Sequence, residues 1–144
     1  MNAYREAVRH APENPDYLKD LGSALFLIGR PSEAARLFEA ALRYDSGHVD
    51  AWRNLGVVHA HENRWDNALA CFEQAAARAP HSGDLHRYRA VALAQLGRPA
   101  EAAQAARQAL ERLPHCPESR ALFLEQMERI GRAEEAKKFL DSQP

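Results

Sequence analysis

The sequence predicts an all-α fold, a stack of antiparallel helix pairs, and three observations predict it. Strand formers are scarce: alanine makes up roughly a fifth of the 144 residues, threonine is absent, and the β-branched residues reduce to five valines and two isoleucines. The chain repeats every 34 residues without a gap, since GRP at Gly29, NRW at Asn63, GRP at Gly97 and GRA at Gly131 share that spacing. Within each repeat the apolar residues follow the 3.6-residue period of a helix.

In chain order, residues 1–14 read as the second helix of a partial repeat, carrying Tyr4, Ala7 and Val8. Residues 15–48, 49–82 and 83–116 read as full repeats and 117–144 as a nearly complete one, together a single array over 1–144. In the first full repeat Leu18, Leu21, Gly22 and Leu25 form one stripe, and Ala34, Leu37, Phe38, Ala41 and Leu42 form a second. Gly29 between them tolerates the left-handed conformation that ends a helix. The next repeat copies this with Trp52, Leu55, Gly56 and His59, then Asn63, then Ala68, Phe72, Ala75 and Ala76. Pro31 and Pro99 follow their glycines by two, near the first turn of the next helix, where a missing N–H costs least. A mid-helix glycine costs about 0.5–1 kcal/mol relative to alanine. Its recurrence at Gly22 and Gly56 therefore predicts a close helix approach, with Phe38 or Phe72 filling the space.

The second full repeat, Trp52-x-x-Leu55-Gly56-x-x-His59, then Ala68-x-x-x-Phe72, then Pro80, resembles the tetratricopeptide repeat pattern W-x-x-L-G-x-x-Y, A-x-x-x-F, P, with His59 in place of Tyr. The first full repeat matches at Leu21, Gly22, Ala34 and Phe38 and has Ser46 where Pro is usual. The third carries His86, Arg89 and Ala90 in the places of Trp, Leu and Gly. The fourth keeps Gly131, Ala136 and Leu140, with Leu124 at the glycine position. The resemblance covers the whole chain and implies a right-handed α-solenoid whose first helices line a concave, peptide-gripping groove.

Placed opposite the core stripe, the lining implied by the resemblance runs Asp16, Lys19, Ser23, Phe26; Asp50, Arg53, Val57, Ala60; Asp84, Arg87, Val91, Ala94; and Glu118, Ala121, Glu125, Glu128. Lys19, Arg53 and Arg87 then make a cationic row beside an acidic row of Asp16, Asp50, Asp84 and Glu118. An acid three residues before a cation also gives a local helical pair. The expected peptide-binding residues are Lys19, Ser23, Phe26, Arg53, Asn54, Val57, Arg87, Tyr88, Val91 and Glu125, and the segment with Glu118, Glu125 and Glu128 is expected to prefer a basic stretch. Family members that clamp the acidic tail of heat-shock chaperones use Lys and Asn, then Asn, then Lys and Arg. Lys19 and Asn54 match that set, whereas Ser23, Asp84 and Tyr88 do not, so that clamp is not expected.

Other functions are excluded by what the chain lacks. With 19 basic and 20 acidic side chains, no whole-molecule field draws nucleic acid or an anionic membrane, and neither is an expected partner. The longest run of large apolar residues, Leu25 to Ile28, is far short of the ~20 needed to span a bilayer. Arg5, Glu6 and Arg9 stand where a secretory leader has its apolar stretch, and Cys71 and Cys116 are too far apart for a paired motif, so the expected location is the cytoplasm. His59 and His61 point to different helix faces, His81, His115 and Cys116 fall in loops, and no serine or glycine motif of a nucleophile or phosphate loop occurs. No enzyme activity, cofactor or metal is expected. Arg30, Arg64, Arg98 and Arg132 recur at the turns beside acids and read as a solvated edge.

The expected function is a protein-interaction scaffold that binds a peptide or protein segment. The alternatives are a regulatory or substrate-presenting segment of a larger enzyme such as a transferase, or a self-assembly module. Homodimerisation is expected to use Tyr4 and Val8 or Phe139 and Leu140.

Overall fold

The computed structural model describes residues 9–10 and 13–144. These contain α1 (Pro15–Leu27), α2 (Pro31–Tyr44), α3 (Val49–His61), α4 (Trp65–Arg78), α5 (Gly83–Gln95), α6 (Pro99–Arg112), α7 (Pro117–Arg129) and α8 (Ala133–Asp141), and no strand. The all-α expectation holds. The expected helix carrying Tyr4, Ala7 and Val8 lies outside the described residues. The chain divides into two compact units, Met1–Arg78 with α1 to α4 and Ala79–Pro144 with α5 to α8.

Each helix pair is closed by the same turn. Gly29, Asn63, Gly97 and Gly131 adopt φ of 79°, 58°, 69° and 73°. The following arginine N–H bonds back to the carbonyl five residues earlier: Arg30 to Leu25, Arg64 to His59, Arg98 to Leu93 and Arg132 to Met127, at 2.8–3.0 Å. The turn residue's own N–H reaches the carbonyl three residues back, at 3.0–3.1 Å. This Schellman arrangement satisfies carbonyls that the helix end leaves open, and it reverses the chain in three residues. Pro31 and Pro99 then start the second helix.

The first helices begin on caps that recur with the repeat and that the sequence did not announce. Asn14 Oδ1 accepts from Asp16 and Tyr17 N–H, His48 Nδ1 from Ala51 N–H, and Ser82 Oγ from Leu85 N–H. Cys116 fills the fourth place without a side-chain cap bond. Because His48 Nδ1 accepts, its Nε2 carries the proton and donates to Asp16 Oδ1 at 2.9 Å, tying the start of α3 to the start of α1. A second side-chain bond also recurs with the repeat. Trp52 Nε1 donates to the Ser46 carbonyl, His86 Nε2 to that of Pro80 and Arg120 Nη1 to that of Pro114. His86 thus replaces the motif tryptophan while keeping its N–H donor.

In the first unit α1 packs on α2, α2 on α3 and α3 on α4. Leu21, Leu25, Ala34, Ala35, Phe38, Leu55, Val58 and Cys71 form one buried cluster. A Cβ built on Gly22 would lie 2.7 Å from Phe38 Cε1, and one on Gly56 would lie 2.6 Å from Phe72 Cε1. Both rings are buried, so glycine is what lets each aromatic ring rest on the partner helix backbone. In the second unit the corresponding positions are Ala90 and Ala106, both with no exposed area. Two methyl groups there replace a glycine and a ring.

α8 closes the second unit against α7. Leu140 is buried rather than part of an open face, as are Ala136 and Phe123. Phe139 is half-buried, edge-on to Phe123 at 5.3 Å, with the Arg107 guanidinium 4.6 Å above its ring. The exposed Phe139–Leu140 pair expected for self-association is therefore mostly used within the chain.

His59 Nδ1 is buried with no hydrogen-bond partner. Burial, reinforced by the Arg64 charge and opposed by Glu39, lowers its pKa below the ordinary histidine value. The unfolded chain therefore takes up a proton at this site at higher pH than the folded chain does. The stability from the neutral ring is present above about pH 6.5 and is lost as pH falls through the folded value. His59→Tyr should reduce the loss of melting temperature between pH 7.5 and pH 5; an unchanged pH dependence would refute this role. Gly56→Ala should destabilise the chain by about 1–3 kcal/mol through overpacking against Phe72, less the ~0.5–1 kcal/mol that alanine gains in a helix. Adding Phe72→Leu should recover part of that loss, as read by denaturant melts.

Candidate functional site

The buried stripes of α1 and α3 leave their opposite faces exposed in the first unit. Ser23, Phe26, Asn54 and Val57, four of the expected binding residues, meet there with Leu27 and Phe38 around a pocket of about 210 Å³. A hydrogen-bond relay crosses its floor: Arg53 Nε donates to Asn54 Oδ1 (3.3 Å), Asn54 Nδ2 to Ser23 Oγ (3.2 Å) and Ser23 Oγ to the Lys19 carbonyl (2.9 Å). Asn54 retains one N–H for a further acceptor. Phe26 stands edge-on to His61 at 5.5 Å, and Leu27 is 84% exposed. Leu27 was not among the expected residues, since helical spacing places it beside the groove stripe rather than on it.

The local charge pairing differs from expectation at one position. Arg53 pairs with Asp50 (3.2 Å) and Arg87 with Asp84 (3.3 Å), as the spacing predicts. Lys19 instead pairs with its neighbour Asp20 (2.6 Å), and Asp16 meets His48. The hydrogen bond that Lys19 donates to Asp20 raises the Lys19 pKa, against the cost of partial burial.

In the second unit Arg87, Tyr88 and Val91 come from α5 and Glu125 from α7. The Arg87 guanidinium lies 4.9 Å over the Tyr88 ring. Burial works against its charge, yet the hydrogen bond to Asp84 leaves its pKa raised. Its field also helps lower the pKa of Glu118, whose main causes are hydrogen bonds from its own backbone N–H and from Cys116. Val91, Ala94, Gln95, Leu122, Glu125, Gln126 and Arg129 surround a pocket of about 300 Å³. Glu125 accepts from Arg129 at 3.0 Å. A wider hollow of about 610 Å³ lies between α6 and α8, floored by Phe123 and Met127, and nothing in the groove pattern pointed to it.

The turn arginines are each engaged by an acid. Arg30 reaches Glu33, Arg98 reaches Glu101 with two bonds, Arg132 reaches Glu135 with two bonds, and Arg64 pairs with Glu62. Glu101 and Glu135 have lowered pKa values for this reason. The Cys71 thiol is pushed up to about 11 by burial, with Glu39 adding to the effect, so it is no ready nucleophile. Among the described residues no group of three or more His, Cys, Asp or Glu is placed to hold a metal, and no helix is long and apolar enough to cross a membrane.

Comparisons with known proteins agree with this construction. The MamA crystal structure superposes with a TM-score of 0.89 at 20% identity, covering 97% of this chain and 82% of MamA. YrrB, described as a TPR protein with an unusual peptide-binding site, gives 0.87 at 23% identity over 95% of this chain and 71% of YrrB. Among sequence relatives, the probable UDP-N-acetylglucosamine–peptide N-acetylglucosaminyltransferase SPINDLY of Oryza sativa subsp. japonica is 41% identical over 63 residues, 44% of this chain. The peroxisomal targeting signal receptor of Eremothecium gossypii is 43% identical over 51 residues, 35% of this chain. The matches span only 7% and 9% of those two proteins. The tetratricopeptide repeat family model matches residues 2–37, 28–70 and 62–117, and the chain belongs to that family.

Proposed function

We propose that this chain is a protein-interaction module that binds an extended or helical peptide segment on the exposed faces of its first helices. The observation that carries this reading is the pocket on α1 and α3. There Phe26, Leu27 and Val57 present apolar area beside Asn54, which has an N–H to spare, and Arg53 is bonded to Asn54. A pocket with apolar walls and a few fixed polar groups suits a side chain and its adjoining peptide carbonyl. Arg87, Tyr88, Val91 and Glu125 supply the corresponding face of the second unit. The departures at Ser23, Asp84 and Tyr88 argue against the acidic-tail clamp. Cys71 and Cys116 are free thiols, the state that a reducing compartment such as the cytoplasm maintains.

An array of 12-residue peptides, followed by fluorescence anisotropy on its best binders, tests this. Phe26→Ala combined with Val57→Ala should weaken those binders by about tenfold or more, equivalent to ~1.4 kcal/mol. Glu134→Ala on α8 should leave them unaffected. An array without binders, or binders indifferent to the double substitution, would overturn the reading.

The similarity to SPINDLY favours a second reading, in which the chain is the substrate-presenting segment of a larger transferase. An antibody raised against this chain should then detect, in source cells, a species well above its own 16.1 kDa. Detection at that mass alone would refute it.

A further inference from the structure

We infer that the pocket on α1 and α3 receives a large uncharged apolar side chain of the bound peptide: leucine, methionine or phenylalanine. The inference rests on the peptide-binding reading and adds the ligand's chemistry at one position. Ser23, Phe26, Leu27, Phe38, Asn54 and Val57 line this pocket, and none of them carries a charge. The pocket on α5 and α7 differs, since Glu125 and Arg129 both line it. The apolar wall is peculiar to the first full repeat. At the register of Phe26 the later repeats carry Ala60, Ala94 and Glu128, and at that of Leu27 they carry His61, Gln95 and Arg129.

The polar atoms of the pocket are already matched to one another. Ser23 Oγ donates to the Lys19 carbonyl and accepts from Asn54, whose Oδ1 accepts from Arg53. A carboxylate or ammonium entering here would shed its water and meet no opposite charge among the lining residues. An apolar side chain has no such loss, and it covers Leu27, which is otherwise in solvent. The spare Asn54 N–H suits the neutral peptide carbonyl beside that side chain. Phe26 packs against the buried cluster of the first unit and stands edge-on to His61, so the wall is in place before a ligand arrives. The volume, about 210 Å³, exceeds the ~150 Å³ of an apolar cavity that holds benzene, so a phenyl ring or a leucine fits and an alanine leaves the walls uncovered.

Pools of labelled 12-residue peptides, with a fixed central Leu, Met, Phe, Ala, Lys or Glu and random flanks free of large apolar residues, provide the test on immobilised protein. The Leu, Met and Phe pools should be retained about fivefold or more above the Ala, Lys and Glu pools. Leu27→Ser, at a side chain outside the core, and Val57→Glu, which places a charge in the pocket, should each bring that ratio down toward one. Glu134→Gln on α8 should leave it in place. Circular dichroism of the Val57→Glu protein checks that the helices persist. Equal retention of all pools, a preference for the Lys or Glu pool, or an apolar preference that survives both pocket substitutions overturns the inference and leaves peptide binding standing. No retention of any pool overturns both.

Discussion

The approach of an aromatic ring to a bare helix backbone is the contact on which the rest of the first unit depends. Phe38 lies on α1 at Gly22 and Phe72 lies on α3 at Gly56, at distances that any β-carbon would violate. The ring's position then dictates which stripe of each first helix is spent on its partner, and so which stripe remains for other contacts. Leu18, Leu21 and Leu25 go inward; Lys19, Ser23 and Phe26 are left outward. The exposed face is the residue of the packing, with no separate determinant. The second unit meets the same requirement differently, with Ala90 and Ala106 at the places of the glycine and the ring, both without exposed area. Two alanines are together smaller than a glycine and a phenylalanine, so close packing there depends on a nearer helix approach or on neighbouring side chains that fill the difference.

Features governed by local rules were legible in the sequence. Glycine or asparagine at a fixed interval forecast the left-handed turns, and Asn63 adopts one without being glycine. Apolar spacing forecast the buried stripes, and the positions opposite them forecast Ser23, Phe26 and Val57 as neighbours, while Asn54 was named only through the family's clamp set. What was hidden depends on residues far apart in sequence. Asp16 and Lys19 have ideal spacing for a pair, yet Lys19 turns to Asp20 while Asp16 accepts from His48, whose other nitrogen caps α3. His86 and Arg89 looked like departures from a hydrophobic pattern. The structure makes them a polar set instead, with His86 bonded to the Pro80 carbonyl and Arg89 to His86 and Gln108. Periodicity reports where a side chain points and not what it finds there, so Leu140 read as open and is covered.

The near balance of charges has a structural meaning that composition alone conceals. Lys19, Arg53, Arg87 and all four turn arginines are held by acids close to them in sequence. Exposed pairs of this kind are worth about 0.2–1 kcal/mol each, too little to define a fold. Their effect is to fix the direction of each cation and to lower the field a distant anion would feel. A ligand carboxylate approaching Arg53 must displace or share Asp50, so it gains only the difference between two similar contacts.

Affinity on such a surface has to come from groups without an equivalent competitor. Leu27 is almost fully exposed, and covering an apolar side chain of its size is worth about 1.5–3 kcal/mol, more than an exposed ion pair returns. The spare N–H of Asn54 likewise has no competitor in its own unit. Charge on the first helices therefore discriminates among ligands more than it holds them. On the proposed reading, apolar area at Phe26 and Leu27 and the spare amide N–H of Asn54 would set how tightly a segment is kept. A family built on one packing rule thus leaves specificity to the few outward positions that the rule does not consume, and in this chain those positions differ from repeat to repeat.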